Sequence, residues 1–327
     1  MKNDNGILLN FEEPFNEYII KFIKYRQNCG FKYGRESQRM LKIISQELSK
    51  LTKTPVLTLD IILTLSKIKI GESYSKRSSL IDILRQLSVF IHIDNPNSCI
   101  VPKKLMPVII KSFVPYILTK EQILKIFEAS DNIKPNWQSN YHITLPVIIR
   151  LLYSSGLRIN EALSLQIKDL NFEDKAILIR ESKKFKSRII PLSDSMYKVL
   201  INYIKRFNFK NENELIFQSI NGNKLTNTYI RTKTKQIFYE AGINEDQYNR
   251  MPTLHSLRHT FSCHALDKMH DLKMDTKVYL VLLSQYLGHD SLSDTEKYLR
   301  FPQYKITGDE RKDYLSKKIP EVEYEEE

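Results

Sequence analysis

Three separated stretches of the chain contain residues that could carry out chemistry on a phosphate. Residues 156–161 (GLRINE) place an arginine next to a glycine, and residues 255–259 (HSLRH) place a second arginine between two histidines. Residues 287–298 begin with Leu-Gly-His and end in Tyr298. A potential nucleophile, two arginines and flanking imidazoles are the groups needed for phosphoryl transfer without a metal ion.

Each of these groups would have a definite task. An unperturbed tyrosine hydroxyl has a pKa of about 10, so Tyr298 needs a base or a cationic site to become a nucleophile. Two guanidinium groups, those of Arg158 and Arg258, could grip the non-bridging oxygens with forked hydrogen bonds. His255 lies three residues before Arg258, on the same helix face, and could accept the tyrosine proton. His289 could donate a hydrogen bond to the phosphate.

The two histidines of the second stretch also allow a competing interpretation. His255 and His259 are four residues apart, a spacing that can hold a metal ion on a helix. Ser256 stands where the glutamate of a His-Glu-x-x-His motif would be, and no third ligand is clearly spaced. We therefore expect no metal site.

The overall composition favours a polyanionic partner. The 327 residues carry 50 Lys or Arg against 38 Asp or Glu, a net charge of +12. Nucleic acid is the first candidate for such a charge, and an anionic membrane is the second. The three cysteines form no CxxC pair, and no apolar run reaches transmembrane length. These features favour a cytoplasmic protein.

The first third of the chain is predicted to be a small helical bundle. Apolar residues recur at helical spacing between residues 11 and 90 and indicate about four helices. Residues 1–105 hold 17 Lys or Arg but only 10 Asp or Glu. The candidates for a phosphate-contacting face are Lys21, Lys24, Arg26, Lys32, Arg35, Arg39, Lys42, Lys76 and Arg77, interleaved with Tyr25, Tyr33 and Tyr74. The alternative for each is a solvated helix surface.

The remainder of the chain is predicted to be mostly helical with one small antiparallel sheet. Prolines between residues 95 and 118 suggest a linker, and residues 119–122 resemble a capping box at a helix start. The apolar run 143–155 predicts a buried helix that ends near Gly156. Residues 176–180 and 188–192 read as paired strands joined by a polar turn. Further helices are predicted over residues 197–207, 226–241, 256–267 and 278–287.

Together these motifs resemble the tyrosine recombinase family, also called the phage integrase family. The set consists of Arg158, His255-x-x-Arg258, Leu287-Gly288-His289 and Tyr298. Residues 156–161 match the family's first arginine box, including Glu161 as the acidic residue that supports the arginine. Residues 182–192 resemble its lysine hairpin, in which Lys183 falls on the position of the general acid. The usual glycines are absent there, so Lys186 is a second candidate for the acid, while Lys186 and Arg188 are otherwise expected to contact DNA.

The resemblance implies a fold and a mechanism. Residues 1–105 would be a helical core-binding (SAM-like) domain, 106–118 a linker and 119–300 the catalytic domain, forming a C-shaped clamp on DNA. In residues 301–327, the part 301–319 would dock onto a neighbouring protomer before an acidic tail. Tyr298 would attack the scissile phosphate to form a 3′-phosphotyrosyl link, and Lys183 would protonate the 5′-oxygen. Neither a metal, a cofactor nor ATP is implied.

The implied partner is double-stranded DNA with paired recombination sites, bound by four protomers. The resemblance favours a two-domain enzyme, Xer-like or encoded by a mobile element, with accessory recombinases as further partners. Integration, excision, transposition, inversion and dimer resolution all stay open. Two alternatives remain, namely a DNA-binding protein without catalysis and a type IB topoisomerase-like activity.

Overall fold

The computed structural model describes residues 9–31, 33–103, 105, 115–180, 187–245 and 249–300. The chain divides into two compact units, Met1–Ser112 and Phe113–Glu327. The fold class predicted from the sequence is confirmed: both units are mainly helical, and a three-stranded antiparallel sheet lies in the second.

The described part of the first unit contains four helices. They are α1 (Asn16–Asn28), α2 (Arg35–Leu51), α3 (Leu59–Ser66) and α4 (Tyr74–Asp94). The side chains of Thr58 and Ser73 accept hydrogen bonds from the first turns of α3 and α4, which fixes where these helices begin. The buried apolar residues of all four helices form one core, with Phe15, Leu41 and Leu87 fully buried.

Most of the predicted phosphate-contacting cations of this unit are at its surface. Among the described residues, Lys21, Lys24, Arg35, Arg39 and Lys76 are exposed, and Arg26 and Lys42 are half-buried. Lys32 lies outside the described residues. The predicted role is wrong for Arg77, which is 1% exposed, and Tyr33 is also buried rather than on the proposed face.

Arg77 is held inside the unit by acidic partners. Its guanidinium forms ion pairs with Glu47 at 2.8 Å and Glu72 at 2.6 Å and donates to the Leu65 carbonyl at 3.1 Å. A buried guanidinium needs such compensation, because desolvation of an unpaired charge is very costly. Arg77 therefore links α4 to α2 and to the end of α3.

The described part of the second unit runs through eight helices, the three strands and two short 3-10 segments. The helices are α5 (Lys120–Asp131), α6 (Tyr141–Ser155), α7 (Ile159–Ala162), α8 (Asp194–Ile204), α9 (Asn227–Glu240), α10 (Leu254–Asp271), α11 (Thr276–Leu287) and α12 (Leu292–Glu296). The strands are β1 (Leu170–Asn171), β2 (Ala176–Ile179) and β3 (Arg188–Pro191), and the 3-10 segments are Ile167–Asp169 and Lys297–Arg300. The capping box predicted at Thr119 is present at the start of α5.

The sheet has the order β1-β2-β3, and both pairings are antiparallel. Ile177 faces Ile190 across β2 and β3, and both side chains are fully buried. The two strands predicted from the sequence are present, whereas β1 escaped prediction because two residues carry no strand pattern. Residues 181–186 of the predicted polar turn lie outside the described residues, so Lys183 and Lys186 have no described position.

The core of the second unit brings α6 and α10 against each other. α6 is buried along most of its length, and it ends at Gly156 in the left-handed conformation, with φ of +60°. A Cβ at this position would overlap the Phe261 ring on α10. Gly156 therefore serves both the turn and the close approach of the two helices. Tyr116 and Leu118, at the end of the predicted linker, are buried in this same core.

A smaller core lies between α10 and α11 and includes the candidate nucleophile. Leu266, Tyr279, Leu280 and Leu287 are buried here, and Tyr298 from the 3-10 segment after α12 packs among them. Tyr298 is therefore held by a hydrophobic cluster that is separate from the main core.

Candidate active site

Arginine side chains of the site donate hydrogen bonds to backbone carbonyls at the C-terminal end of α11. A helix leaves its last four carbonyls without helical partners. Here the Ser284 and Gln285 carbonyls accept the amides of His289 and Gly288 at 3.0 Å each. The next two carbonyls accept guanidinium N–H groups instead, and the negative end of the helix dipole favours these cations.

Three arginines from distant parts of the sequence supply those donors. Arg258 donates to the Leu287 carbonyl at 2.8 Å and to the Gly156 carbonyl at 2.6 Å. Arg188 donates through Nε to the Tyr286 carbonyl at 2.8 Å. Arg158 donates to the Gly288 carbonyl at 2.9 Å and, at 3.5 Å, to that of Leu287. The arginines of the first two motifs are thus fixed by the backbone of the third.

Glu161 holds Arg158 in two ways. Its carboxylate accepts the Arg158 Nη1 at 2.9 Å and the Arg158 backbone amide at 3.0 Å, so the residue caps α7 while it orients the guanidinium. Burial on its own would raise the pKa of Glu161, but hydrogen bonding and charge from Arg188 and Arg158 lower the pKa below its usual range. The supporting role expected for Glu161 matches these contacts.

The residues predicted to act together line one cavity of about 430 Å³. The lining consists of Pro115, Arg158, His255, Arg258, His259, His289, Asp294, Lys297 and Tyr298. Five of the six predicted catalytic positions therefore meet at one place, although their sequence positions span 158 to 298. The sixth, Lys183, lies outside the described residues.

The three cavity histidines are poor proton binders in this arrangement. Burial and the charges of Arg258 and Arg158 lower the pKa of His289 to about 4. His255 is an exposed residue, yet desolvation by the surrounding protein and the same two charges lower its pKa to about 4. Burial, followed by His255 and Arg258, lowers the pKa of His259 to about 3. All three imidazoles are therefore neutral at pH 7.

One hydrogen-bonding partner of Tyr298 is a histidine that sequence reasoning left out of the site. The Tyr298 hydroxyl lies 2.9 Å from Nδ1 of His259. Tyr298 is only 4% exposed, and burial raises its pKa although a hydrogen bond with Ser262 and the charge of Arg258 oppose the rise. The signal that could have found His259 is its position four residues after His255 on α10, where both rings share a face and approach to 4.3 Å.

His289 is oriented by a residue that the sequence analysis did not single out. Its Nδ1 lies 2.8 Å from the hydroxyl of Thr295 on α12, and its ring stacks at 6.3 Å on that of Tyr298. Gly288 makes this placement possible, because its φ of +64° turns the chain at the end of α11.

The DNA contact predicted for Arg188 is wrong in this structure. Its side chain is 12% exposed, and both terminal nitrogens bind Glu161, at 3.1 and 2.8 Å. Each of its three nitrogens donates to an acceptor inside the protein, so it supports the site rather than facing a ligand.

Across the described residues, no cluster of three or more His, Cys, Asp or Glu side chains could hold a metal ion. In the same part of the chain, no helix has the length and apolar character needed to span a membrane.

Known proteins resemble this chain in sequence and in fold. The family model described as the phage integrase family matches residues 117–303. An integrase/recombinase of Sinorhizobium fredii designated y4rB is 28% identical over 292 residues, 87% of this chain and 92% of the relative. The tyrosine recombinase XerA of Pyrococcus horikoshii is 28% identical over 235 residues, 71% of each chain.

A solved structure extends the likeness to both units. It is the XerH site-specific recombinase bound to a palindromic difH substrate, with a TM-score of 0.65, 21% identity, and coverage of 96% of this chain and 92% of that chain. This similarity concerns the fold. Because the family match spans more than half of its residues, this chain belongs to the phage integrase family. Within that family it is a tyrosine-type site-specific recombinase.

Proposed function

We propose that this chain cuts and rejoins DNA at specific sites through a covalent link between Tyr298 and a 3′-phosphate. The observation that carries the proposal is the cavity in which a tyrosine hydroxyl meets two guanidinium groups, those of Arg158 and Arg258. These are a nucleophile and a clamp for the developing negative charge, and they come from three separate motifs.

The proposed step balances without a cofactor. The Tyr298 hydroxyl oxygen bonds to phosphorus, the bond from phosphorus to the 5′-oxygen breaks, and that oxygen takes a proton to leave as a 5′-hydroxyl. Arg158 and Arg258 bind the non-bridging oxygens throughout. In the second step, the oxygen of a 5′-hydroxyl from a partner strand bonds to the phosphorus. The bond from phosphorus to the Tyr298 oxygen then breaks, and that oxygen takes back a proton. Since one ester replaces another at each stage, ATP is not needed.

The proton of Tyr298 has two candidate acceptors. His255 was predicted from the motif, but His259 is a histidine within hydrogen-bonding distance of the hydroxyl. With the pKa of His259 lowered and that of Tyr298 raised, the proton stays on the tyrosine before DNA binds. A phosphate beside the arginines would offset the charges that lower the histidine pKa values, and so would make the imidazoles better bases.

The remaining assignments follow the family pattern. His289 would donate to a non-bridging oxygen, and Lys183, or alternatively Lys186, would protonate the leaving 5′-oxygen. The exposed cations of the first unit would contact the DNA backbone, so that residues 1–105 and 119–300 act as a core-binding and a catalytic domain in a clamp. Four protomers would hold two sites, with residues 301–319 docking onto a neighbour. Such an enzyme of integration, excision or transposition would work in the cytoplasm, on nucleoid DNA.

The proposal is tested on DNA selected by the protein itself from a random-sequence pool. A duplex with this sequence, nicked near the cleavage position, traps the covalent intermediate. The wild type should form a protein–DNA adduct, and Tyr298→Phe should bind the duplex equally well but form none. Tyr286→Phe is the matched control, because this upstream tyrosine packs against Phe261 away from the cavity, and it should still form the adduct.

The rival functions give different results in the same assay. A DNA-binding protein without catalysis forms no adduct in the wild type. A type IB topoisomerase-like enzyme forms the adduct but relaxes supercoiled DNA without exchanging strands between two sites. An adduct that persists in Tyr298→Phe would assign the nucleophile to another tyrosine.

A further inference from the structure

The side chain of Arg188 connects strand β3 to the helices α7 and α11. Its Nη1 and Nη2 bind the two carboxylate oxygens of Glu161 at 3.1 and 2.8 Å, and its Nε binds the Tyr286 carbonyl at 2.8 Å. Bidentate pairing of this kind fixes the orientation of both partners. With all three nitrogens engaged, Arg188 has little freedom to serve any external ligand.

Arg188 is connected to the cavity-lining residue Arg158 through Glu161. Among the described residues that line the cavity, Arg158 is present and Arg188 is not. The side chain of Arg158 is 32% exposed, whereas those of Glu161 and Arg188 are 10% and 12% exposed. Among the described residues, the ionic connection from Arg188 toward the cavity therefore runs through Glu161 to Arg158.

The hydrogen bonds of Arg158 leave part of its guanidinium available. Its Nη1 contacts Glu161 and the Leu287 carbonyl, and its Nη2 contacts the Gly288 carbonyl. A guanidinium has five N–H donors, so Nε–H and one Nη2–H have no partner among the described residues. N–H groups that remain available in this way can donate to the oxygens of a phosphate.

The charge of this trio depends on Arg188. Glu161 shares its single negative charge between two guanidinium groups, so the three residues together keep one positive charge. Without Arg188, the carboxylate would pair with Arg158 alone, and the pair would be neutral. Glu161 could also rotate toward the vacated position and take Arg158 with it. Both effects would weaken the attraction between Arg158 and a phosphate.

We propose that Arg188 is a positioning residue for the reaction: by holding Glu161 with both terminal nitrogens, it orients Arg158 and keeps its positive charge available to the scissile phosphate. The inference rests on the proposed function of the cavity and adds a residue that acts without touching the DNA. It also explains why α11 must end in Gly288, since a Cβ there would lie 2.9 Å from Nη1 of Arg188.

The test compares Arg188→Gln with the wild type in single-turnover adduct formation on the nicked duplex described above. Two duplexes are used, one with the ordinary phosphodiester and one with a methylphosphonate at the mapped cleavage position. The methylphosphonate lacks the negative charge, so a residue that acts through the Arg158 clamp matters less on it. Arg158→Ala is the reference for a direct loss of the clamp. Arg180→Gln, which breaks an Arg–Asp169 pair beside β2, is the control.

We expect Arg188→Gln to bind the ordinary duplex as tightly as the wild type, with the same salt dependence. Its adduct rate on the phosphodiester should fall by about 10- to 100-fold, by analogy with residues that orient metal ligands, and the loss should shrink to a few-fold on the methylphosphonate. Arg158→Ala should show the same pattern with a larger loss, of about 100-fold or more. Arg188→Lys keeps the charge but not the bidentate geometry, so its rate should lie between those of the wild type and Arg188→Gln. Arg180→Gln should react at the wild-type rate.

Three results would overturn this inference alone. They are an unchanged rate in Arg188→Gln, a loss that is equal on both duplexes, and a loss of affinity large enough to account for the slower rate. The equal loss would indicate a general disturbance of the fold, and the affinity loss a direct DNA contact. If the wild type itself forms no adduct on either duplex, the proposed function fails, and this inference fails with it.

Discussion

At the scale of single residues, we expect the hydrogen bond between Tyr298 and His259 to set the pH dependence of cleavage. The pKa of His259 is lowered to about 3, so this imidazole is neutral from pH 6 to 9 and is available as an acceptor throughout. We expect the second-order rate constant for adduct formation, which reports the free enzyme, to be flat over that range. The pKa of Tyr298 is raised, so only a small fraction is ionised below pH 9.

Replacing the acceptor should change this profile in a defined way. In His259→Phe the reaction would depend on the ionised tyrosine, whose fraction rises tenfold per pH unit below its pKa. The variant should therefore be slower at pH 7 by about 10²- to 10⁴-fold and should regain rate with a slope of one as pH rises. His255→Phe is the comparison. If His255→Phe acquires the slope and His259→Phe stays flat, the proton acceptor is His255, as the sequence suggested.

Two lysines, Lys183 and Lys186, are candidates for the general acid. Its proton offsets the charge on the leaving 5′-oxygen, so a substrate with sulfur at that bridging position needs little protonation. Lys183→Ala should cleave the ordinary duplex slowly and recover much of its rate on the sulfur duplex. Lys186→Ala should be slowed similarly on both. If the sulfur duplex restores the rate of Lys186→Ala and not that of Lys183→Ala, the general acid is Lys186.

At the scale of elements, the end of α6 controls how closely α10 approaches the first arginine motif. Gly156 has φ of +60°, and an added Cβ would meet the Phe261 ring. Gly156→Ala should lower the free energy of unfolding by about 2–5 kcal/mol, combining a left-handed backbone cost with overpacking. Urea denaturation at equilibrium measures the change.

A second glycine provides the control for this prediction. Gly242 has φ of +66°, but no atom lies within 4 Å of its built Cβ. Gly242→Ala should therefore show only the backbone cost, about 1–2 kcal/mol. Equal losses in the two variants would mean that Phe261 moves aside freely and that helix packing does not depend on Gly156.

At the scale of the whole molecule, the net charge of +12 should appear as a salt dependence of DNA binding. Each phosphate that a side chain neutralises contributes a slope of roughly −0.9 in log affinity against log salt concentration. Replacing the exposed Lys24 and Arg35 together by alanine should reduce the slope by about 1.8 if both contact phosphates. Fluorescence anisotropy at several salt concentrations gives the slope.

Arg77→Met is the contrasting variant for that experiment. Arg77 is buried against Glu47 and Glu72, so its loss leaves two carboxylates without their shared partner. We expect it to lower the free energy of unfolding by about 3–5 kcal/mol while the salt slope stays the same. A reduced salt slope with an unchanged free energy of unfolding would instead indicate that Arg77 contacts DNA.

The sequence alone was sufficient for the helices, the hairpin strands and the motif residues of the site. These features depend on local periodicity, capping chemistry and turn residues, which act over short stretches of chain and can be read without the fold. The motif residues also had to lie close together, because a nucleophile and the groups that bind its phosphate must contact the same substrate. One cavity is lined by four of them, Arg158, Arg258, His289 and Tyr298.

Only the tertiary structure decided which side chains face the cavity and which support it from behind. Arg77 and Arg188 have the same charge as Arg35 and Arg158, and nothing in the local sequence separates them. The difference arises because a carboxylate from another element meets each of these guanidinium groups, that of Glu47 on α2 for Arg77 and that of Glu161 on α7 for Arg188. Likewise, His259 pairs with Tyr298 only because α10 and the segment after α12 pack together in a separate small core. Such long-range pairings follow from packing, and no spacing within one stretch of sequence encodes them.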